Sequence, residues 1–283
     1  LVYFDSSAGQ LKRLALSSST GAVVSTATVA TDIDASNPYF DACISQSAAY
    51  ISYAATSTTI GVYSLSSSLV LSSQYVLTGI TEPKASISIQ GNGSGTIWLA
   101  WAAASSVYVA AVNSALNTTT LSARVVEAVT ASNVTVQYTS TGVQVFYEVP
   151  NTTTNDVRQN TCSSGGTVGT ASLVMTGMGL AAKPIVVGTA IYLVVVYAGQ
   201  YATNNAGVST AQTLQPTYFL ITASGSVVGK LAYGLAGGFY TTGLLPETSV
   251  LSTGQYLLPY LIKFNVSSVN GNIVSNTGVN AAV

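Results

Sequence analysis

Residues 83–113 read PKASISIQGNGSGTIWLAWAAASSVYVAAVN, and this stretch decides the fold class. Ser86 to Gln90 alternates small polar and apolar residues, the period of a half-buried strand. Gly91, Gly93 and Gly95 mark a turn. Ile97 to Ala102 is an apolar and aromatic run, Ser105 and Ser106 make a second turn, and Val107 to Val112 is a third run. Leu121 to Ala128 follows as a weaker fourth strand. The second run is apolar on both faces (Ile97, Trp98, Leu99, Trp101), so it needs neighbours on both sides.

The plan recurs along the chain. Units start near Pro38, Pro83, Ser132, Pro184 and Pro246, in steps of 45, 49, 52 and 62 residues. A proline precedes the first strand in four of them, where a missing N–H is tolerated. A Gly- or Ser-rich turn then leads into an apolar second strand: AAYISYA from Ala48, TIWLAWA from Thr96, VQVFYEV from Val143, AIYLVVVYA from Ala190, QYLLPYLIKF from Gln255. A period of 40 to 50 residues with four strands per unit is the signature of propeller blades. No stretch has the 3.6-residue apolar period and caps of a helix. The expectation is an all-β propeller of five or six four-stranded blades occupying residues 1–283. Leu1 to Ala30 supplies three strands that share a ring-closing blade with the last segment. Polar excursions are expected at Pro150 to Asn160 and Gly199 to Gln215, and a tight turn at Gly188-Thr189.

Composition narrows the function classes. Charged residues make up 6% of 283, the net charge is -1, and histidine is absent. No basic stripe exists to follow a phosphate backbone, so nucleic acid is not an expected partner. The apolar fraction of 48% raises the question of a membrane span. The most apolar run after Pro184 is shorter than the ~20 residues a spanning helix needs, so membrane insertion is not expected. The 37 Ser and 35 Thr are offset by 17 Tyr and many Val and Ile, enough to bury a core. Cys43 and Cys162 lie in separate repeats and are expected to be free thiols. The opening on Leu1 and the abrupt end at Val283 suggest a domain excised from a longer chain.

No catalytic, cofactor or metal site is expected. Without histidine there is no His-dependent triad and no His metal site. Gly234 to Gly238 lacks the Lys-Ser/Thr of a phosphate loop. Paired carboxylates of a glycosidase would come from Asp5, Asp41, Glu82, Glu127, Glu148 and Glu247. Of these Asp41 lies near an innermost strand, Glu82 and Glu247 flank prolines, and Glu127 sits on an outer strand. Arg13, Arg124 and Arg158 fall on dissimilar parts of the units, so no arginine cluster forms for an acidic sugar. Sequons at Asn92, Asn117, Asn133, Asn151 and Asn265 are about as many as the Ser/Thr content yields by chance. The tyrosines (Tyr50, Tyr53, Tyr63, Tyr192, Tyr197, Tyr201) bury a ring and keep a hydroxyl wet, or form a sugar-binding face. Trp98 and Trp101 read as blade-packing residues.

Ser226 to Phe264 reads SVVGKLAYGLAGGFYTTGLLPETSVLSTGQYLLPYLIKF. Its strand, Gly-Gly turn, Leu-Pro connection and aromatic-lysine strand end resemble the propeller domains of tail nozzle proteins of short-tailed bacteriophages. That resemblance implies a non-enzymatic, ring-forming virion component, a platform for other virion subunits. In the full-length protein it would be a homo-oligomer, with a host-surface glycan as a further partner. Two alternatives accompany it: a secreted bacterial or archaeal surface propeller that binds glycans or forms a lattice, and a five-bladed carboxylate-dependent glycosidase.

Overall fold

The computed structural model describes residues 1–178 except 18, 67, 69, 81–85 and 151–154, and beyond 178 the strands alone. Side chains are described as far as residue 174. Every regular element is a strand, and no described helix is long and apolar enough to cross a membrane. Two compact units divide the chain: residues 1–147 with 160–171, and residues 148–159 with 172–283.

In the first unit the strands pair with their sequence neighbours in antiparallel sheets. The first sheet is β1 (Val2–Asp5), β2 (Gln10–Leu16) and β3 (Val23–Ala30). The second is β4 (Phe40–Ser45), β5 (Ala48–Thr56), β6 (Thr59–Leu65) and β7 (Leu71–Leu77). The third is β8 (Ser86–Gly91), β9 (Thr96–Ala102), β10 (Val107–Asn113) and β11 (Thr119–Glu127), the repeat read from Pro83; that proline itself lies outside the described residues. A fourth sheet, β12 (Ser132–Thr139), β13 (Gly142–Pro150), β14 (Asn155–Ser163) and β15 (Ser172–Met178), takes strands from the residue ranges of both units. Its third strand corrects the expected polar excursion. Asn155 to Ser163 is polar yet mostly half-buried, with Val157, Asn160 and Cys162 buried and Thr161 exposed.

The second unit holds a four-stranded sheet, β16 (Ala181–Val187), β17 (Ala190–Gln200), β18 (Leu214–Thr222) and β19 (Val227–Ala232). Pro184 is inside β16 opposite Leu193, not ahead of the strand. β16 is an edge strand of this sheet, a place where proline is tolerated. The remaining strands are β20 (Phe239–Leu244), β21 (Ser249–Val250), β22 (Gln255–Leu257), β23 (Tyr260–Phe264), β24 (Val274–Asn276) and β25 (Asn280–Ala282). They form two three-stranded sheets, β20-β23-β24 and β21-β22-β25. The expected single strand from Tyr256 to Phe264 is thus two strands in different sheets. The turns at Gly188-Thr189 and Gly234 to Gly238, the insert over 201–213 and Pro246 lie outside the described residues.

Packing between sheets explains the two-faced apolar second strands. Alternate residues of β5 point to opposite sides. Ile51, Tyr53 and Ala55 join Leu11, Val29 and Ile33 in a core between the first and second sheets. Tyr50 and Ala54 join Ile87, Ile89, Ile97, Leu99 and Trp101 in a core between the second and third. Each fully buried Leu, Ile or Val here contributes about 1.5–3 kcal/mol. Stacked rings brace both cores: Tyr53 on Tyr63 at 5.6 Å and Trp101 on Tyr108 at 5.4 Å.

Candidate functional site

Innermost strands of neighbouring sheets are joined by side chains reaching backbone. The Ile89 N–H donates to Asp41 Oδ2 at 3.0 Å, and the Val136 N–H donates to Ser88 Oγ at 3.2 Å. Ser86 Oγ donates to the Val134 carbonyl at 3.3 Å. Both bridges span 48 residues, one repeat, so Asp41 and Ser88 hold equivalent places.

Setting Asp41 on Ser88 puts Ser45 on Asn92 and Gln46 on Gly93. The strand registers, Cys43 opposite Tyr50 and Gln90 opposite Trp98, put Tyr50 on Trp98. Between the second and third sheets these side chains close the turn end. The Gly93 N–H donates to Ser45 Oγ at 3.2 Å, Gln46 Nε2 donates to the Gly93 carbonyl at 3.3 Å, and the Tyr50 hydroxyl donates to the Ser114 carbonyl at 3.1 Å. Between the third and fourth sheets the same latch cannot form. Asn92 Oδ1 is taken up in its own turn by the Ser94 and Thr96 N–H groups at 2.8 and 2.9 Å. Gly93 has no side chain, and Trp98 has no hydroxyl.

A cleft of about 240 Å³ opens there. Trp98, Ala111 and Leu121, all buried, contribute its apolar lining; Asn92, Thr96 and Thr120 add polar groups from the third sheet. The end of β12 supplies Tyr138, and the β12–β13 turn supplies Ser140 and Thr141. Gly142 lets the next turn close in: a Cβ there would strike the Cys162 carbonyl and the Ser163 backbone. The Ser164 N–H then donates to the Thr141 carbonyl at 3.1 Å, bringing Ser164 to the rim. No side chain that is charged at neutral pH lines the cleft; its chemistry is hydroxyl, amide and aromatic ring. Trp98 therefore packs between sheets and also reaches a ligand-sized space, a double role the sequence reading missed.

The candidate carboxylates are dispersed. Asp5 pairs with Lys12 Nζ at 2.6 Å and accepts the Ser7 and Ala8 N–H groups, so its carboxyl is held well below the usual range. Asp41 bridges β4 and β8 and also accepts the Ala42 N–H at 2.9 Å. Glu127 accepts the Tyr147 hydroxyl. Glu148, 1% exposed, accepts Asn155 Nδ2 at 3.0 Å. Glu82 and Glu247 lie outside the described residues. Among the described residues no three of His, Cys, Asp and Glu gather for a metal. Arg13, Arg124 and Arg158 stand on three different sheets. Both cysteines are free. Burial, with Asp41 nearby, pushes the Cys43 thiol up to about 12, so it is not a nucleophile at neutral pH. The sequons at Asn117 and Asn133 are exposed, Asn92 is half-buried in the cleft wall, and Asn151 and Asn265 lie outside the described residues.

Against known structures, the chain is similar to a mutant apocarotenoid oxygenase of Synechocystis, with a TM-score of 0.53 and 11% identity. That match covers 93% of this chain, which spans only 65% of the oxygenase's length. The fold is a β-propeller. Further similar structures are an endo-arabinase of Bacteroides thetaiotaomicron (TM-score 0.48, 10% identity, 86% of this chain and 94% of that one) and a GH32 beta-fructofuranosidase of Bombyx mori (0.45, 14%, 82% and 56%). No family model matches, and no curated protein does. These similarities overturn the expected non-enzymatic virion component: the propellers that this chain resembles are enzymes, not tail nozzle proteins. At such identities the likeness is one of fold.

Proposed function

We propose that this propeller is a carbohydrate-active protein that binds neutral glycans. The cleft between the third and fourth sheets carries the reading: hydroxyls and amides beside Trp98 and Tyr138, with no group charged at neutral pH among them. Sugars present C–H faces to aromatic rings and hydroxyls to side chains that both donate and accept. A site of this kind gains nothing from a charged ligand, whose desolvation it leaves uncompensated. The test is a screen of neutral and acidic oligosaccharides by calorimetry. Neutral glycans are expected to bind, with little change between low and high salt; retention of acidic glycans alone would overturn the reading.

Hydrolysis, at a place separate from the cleft, is a second reading, favoured by one observation. Asp41 places a carboxylate on an innermost strand where the next sheet carries Ser88. Release of reducing sugar, abolished by Asp41→Asn, is the expected outcome. Release that survives this substitution would remove Asp41 from the reaction, and no release from any bound glycan would leave a binding protein only.

A further inference from the structure

We infer that the cleft accepts one uncharged sugar unit at the end of a chain, rather than a stretch of polymer running through it. This deepens the neutral-glycan reading and rests on it. Three observations carry it.

The first is size. At about 240 Å³ the cleft is smaller than the ~300 Å³ at which pockets for drug-sized ligands begin, which suits a single ring. The second is closure. A groove for a polymer would continue into the equivalent position between the second and third sheets. That position is shut by Ser45 and Gln46 on Gly93 and by Tyr50 on the Ser114 carbonyl. A chain entering from the rim at Ser140 and Ser164 therefore meets no continuing groove between the second and third sheets. The third is charge. A uronic or sialic carboxylate would lose its water against Trp98, Ala111 and Leu121 and find no cation among the lining residues.

The closed neighbour also identifies what makes the open one. The two gaps differ by the replacement of Ser45 with Asn92, whose amide caps its own turn, of Gln46 with Gly93, and of Tyr50 with Trp98. Repeats built on one backbone plan thus diverge at three latch positions, and a binding space appears where the latch is missing.

The experiment titrates the protein with methyl glycosides of neutral hexoses and pentoses, and with their oligosaccharides up to six units, by calorimetry and tryptophan fluorescence. End-on binding predicts an affinity per chain that changes less than about 2-fold with length, whereas filling successive subsites raises it about 10-fold or more. Ser140→Trp, at an exposed turn position, is expected to plug the cleft and weaken binding at least about 10-fold with the melting temperature unchanged. Tyr138→Ala is the second variant, with the same expected loss. The methyl glycoside of a uronic acid is expected not to bind.

Affinity that climbs with chain length, equal binding of the uronide, or binding indifferent to both variants would overturn the end-on inference and leave the neutral-glycan reading standing. Failure of every neutral saccharide to bind would instead overturn that reading itself.

Discussion

Ser52 shows how a single side chain can sit against the grain of its surroundings. It is fully buried on β5, opposite Asp41 across the β4–β5 pair, and its hydroxyl has no hydrogen-bond partner. The same place in the next sheet, opposite Ser88, is Ala100. A buried polar group without a partner costs about 1–3 kcal/mol. Ser52→Ala is therefore expected to leave stability unchanged or raise it by up to about 1–2 kcal/mol in denaturant unfolding. A loss beyond about 1 kcal/mol would mean that the hydroxyl is satisfied in solution. Cys43 gives a second residue-level prediction. Its folded pKa is raised by burial, from 9.0 to about 12. A raised thiol value means the unfolded chain ionises first, so the stabilising difference is intact below about pH 9 and is lost as pH rises towards 12. Tyr53, also raised by burial and by its bond to Asp32, acts in the same direction from about pH 10 upwards. Cys43→Ala should flatten the alkaline part of a stability-against-pH curve between about 9 and 10, leaving the tyrosine-dependent fall above it. An unchanged curve would place the thiol in water.

At the scale of elements, the bridges between innermost strands replace the backbone ladder that separate sheets cannot share. Asp41 accepts the Ile89 N–H where Ser88, one repeat on, accepts the Val136 N–H. Any acceptor of the right reach should serve. Asp41→Ser is expected to unfold within about 1 kcal/mol of the parent, and Asp41→Ala to cost about 1–3 kcal/mol because the Ile89 N–H loses its partner. Equal losses for the two variants would show that charge, not acceptance, matters. Gly142 predicts a larger effect on the cleft. Its φ of 154° and its approach to the Cys162 carbonyl leave no space for a methyl group. Gly142→Ala should displace the Cys162–Ser163 segment, destabilise by about 1–3 kcal/mol and weaken saccharide binding together. Binding preserved at reduced stability would separate the wall from the site. These elements also mark what was legible in the sequence. Strand runs such as Ile97–Ala102 and the turn glycines Gly93 and Gly95 announced themselves, because burial on both faces and positive φ each restrict residue choice. The cleft did not. It depends on which repeat lacks a latch, and Asn92 reads the same in sequence whether its amide caps its own turn or reaches a neighbour. The polar β14 was missed for a related reason: alternation with Asn, Gln and Thr resembles a loop unless the buried face is known.

At the scale of the whole molecule the scarcity of charge is the governing property. Eight basic and nine acidic groups serve 283 residues, and among the described residues the Asp5–Lys12 contact is the ion pair that stands out, both partners being about one-fifth exposed. Exposed pairs of this kind contribute little to stability and are screened by salt. Cohesion comes instead from the apolar cores between sheets and from neutral bridges such as Ser45 to Gly93 and Tyr75 to Thr119. Neither depends on the Debye length. The melting temperature should therefore move by less than about 2 °C between 0.02 and 0.5 M sodium chloride. Sodium sulfate at equal ionic strength should raise it, because excluded salts strengthen apolar burial. The same poverty of charge sets a colloidal limit. With a net charge of -1 and an isoelectric point near 5.2, mutual repulsion is weak, and solubility should pass through a minimum close to that pH. Light scattering across pH 4–8 tests this directly, since a flat profile would show that the Ser- and Thr-rich surface keeps molecules apart by hydration alone. A melting temperature that fell steeply with chloride would point to ion pairs beyond Asp5–Lys12, and would shift the account of stability from the inter-sheet cores to charge.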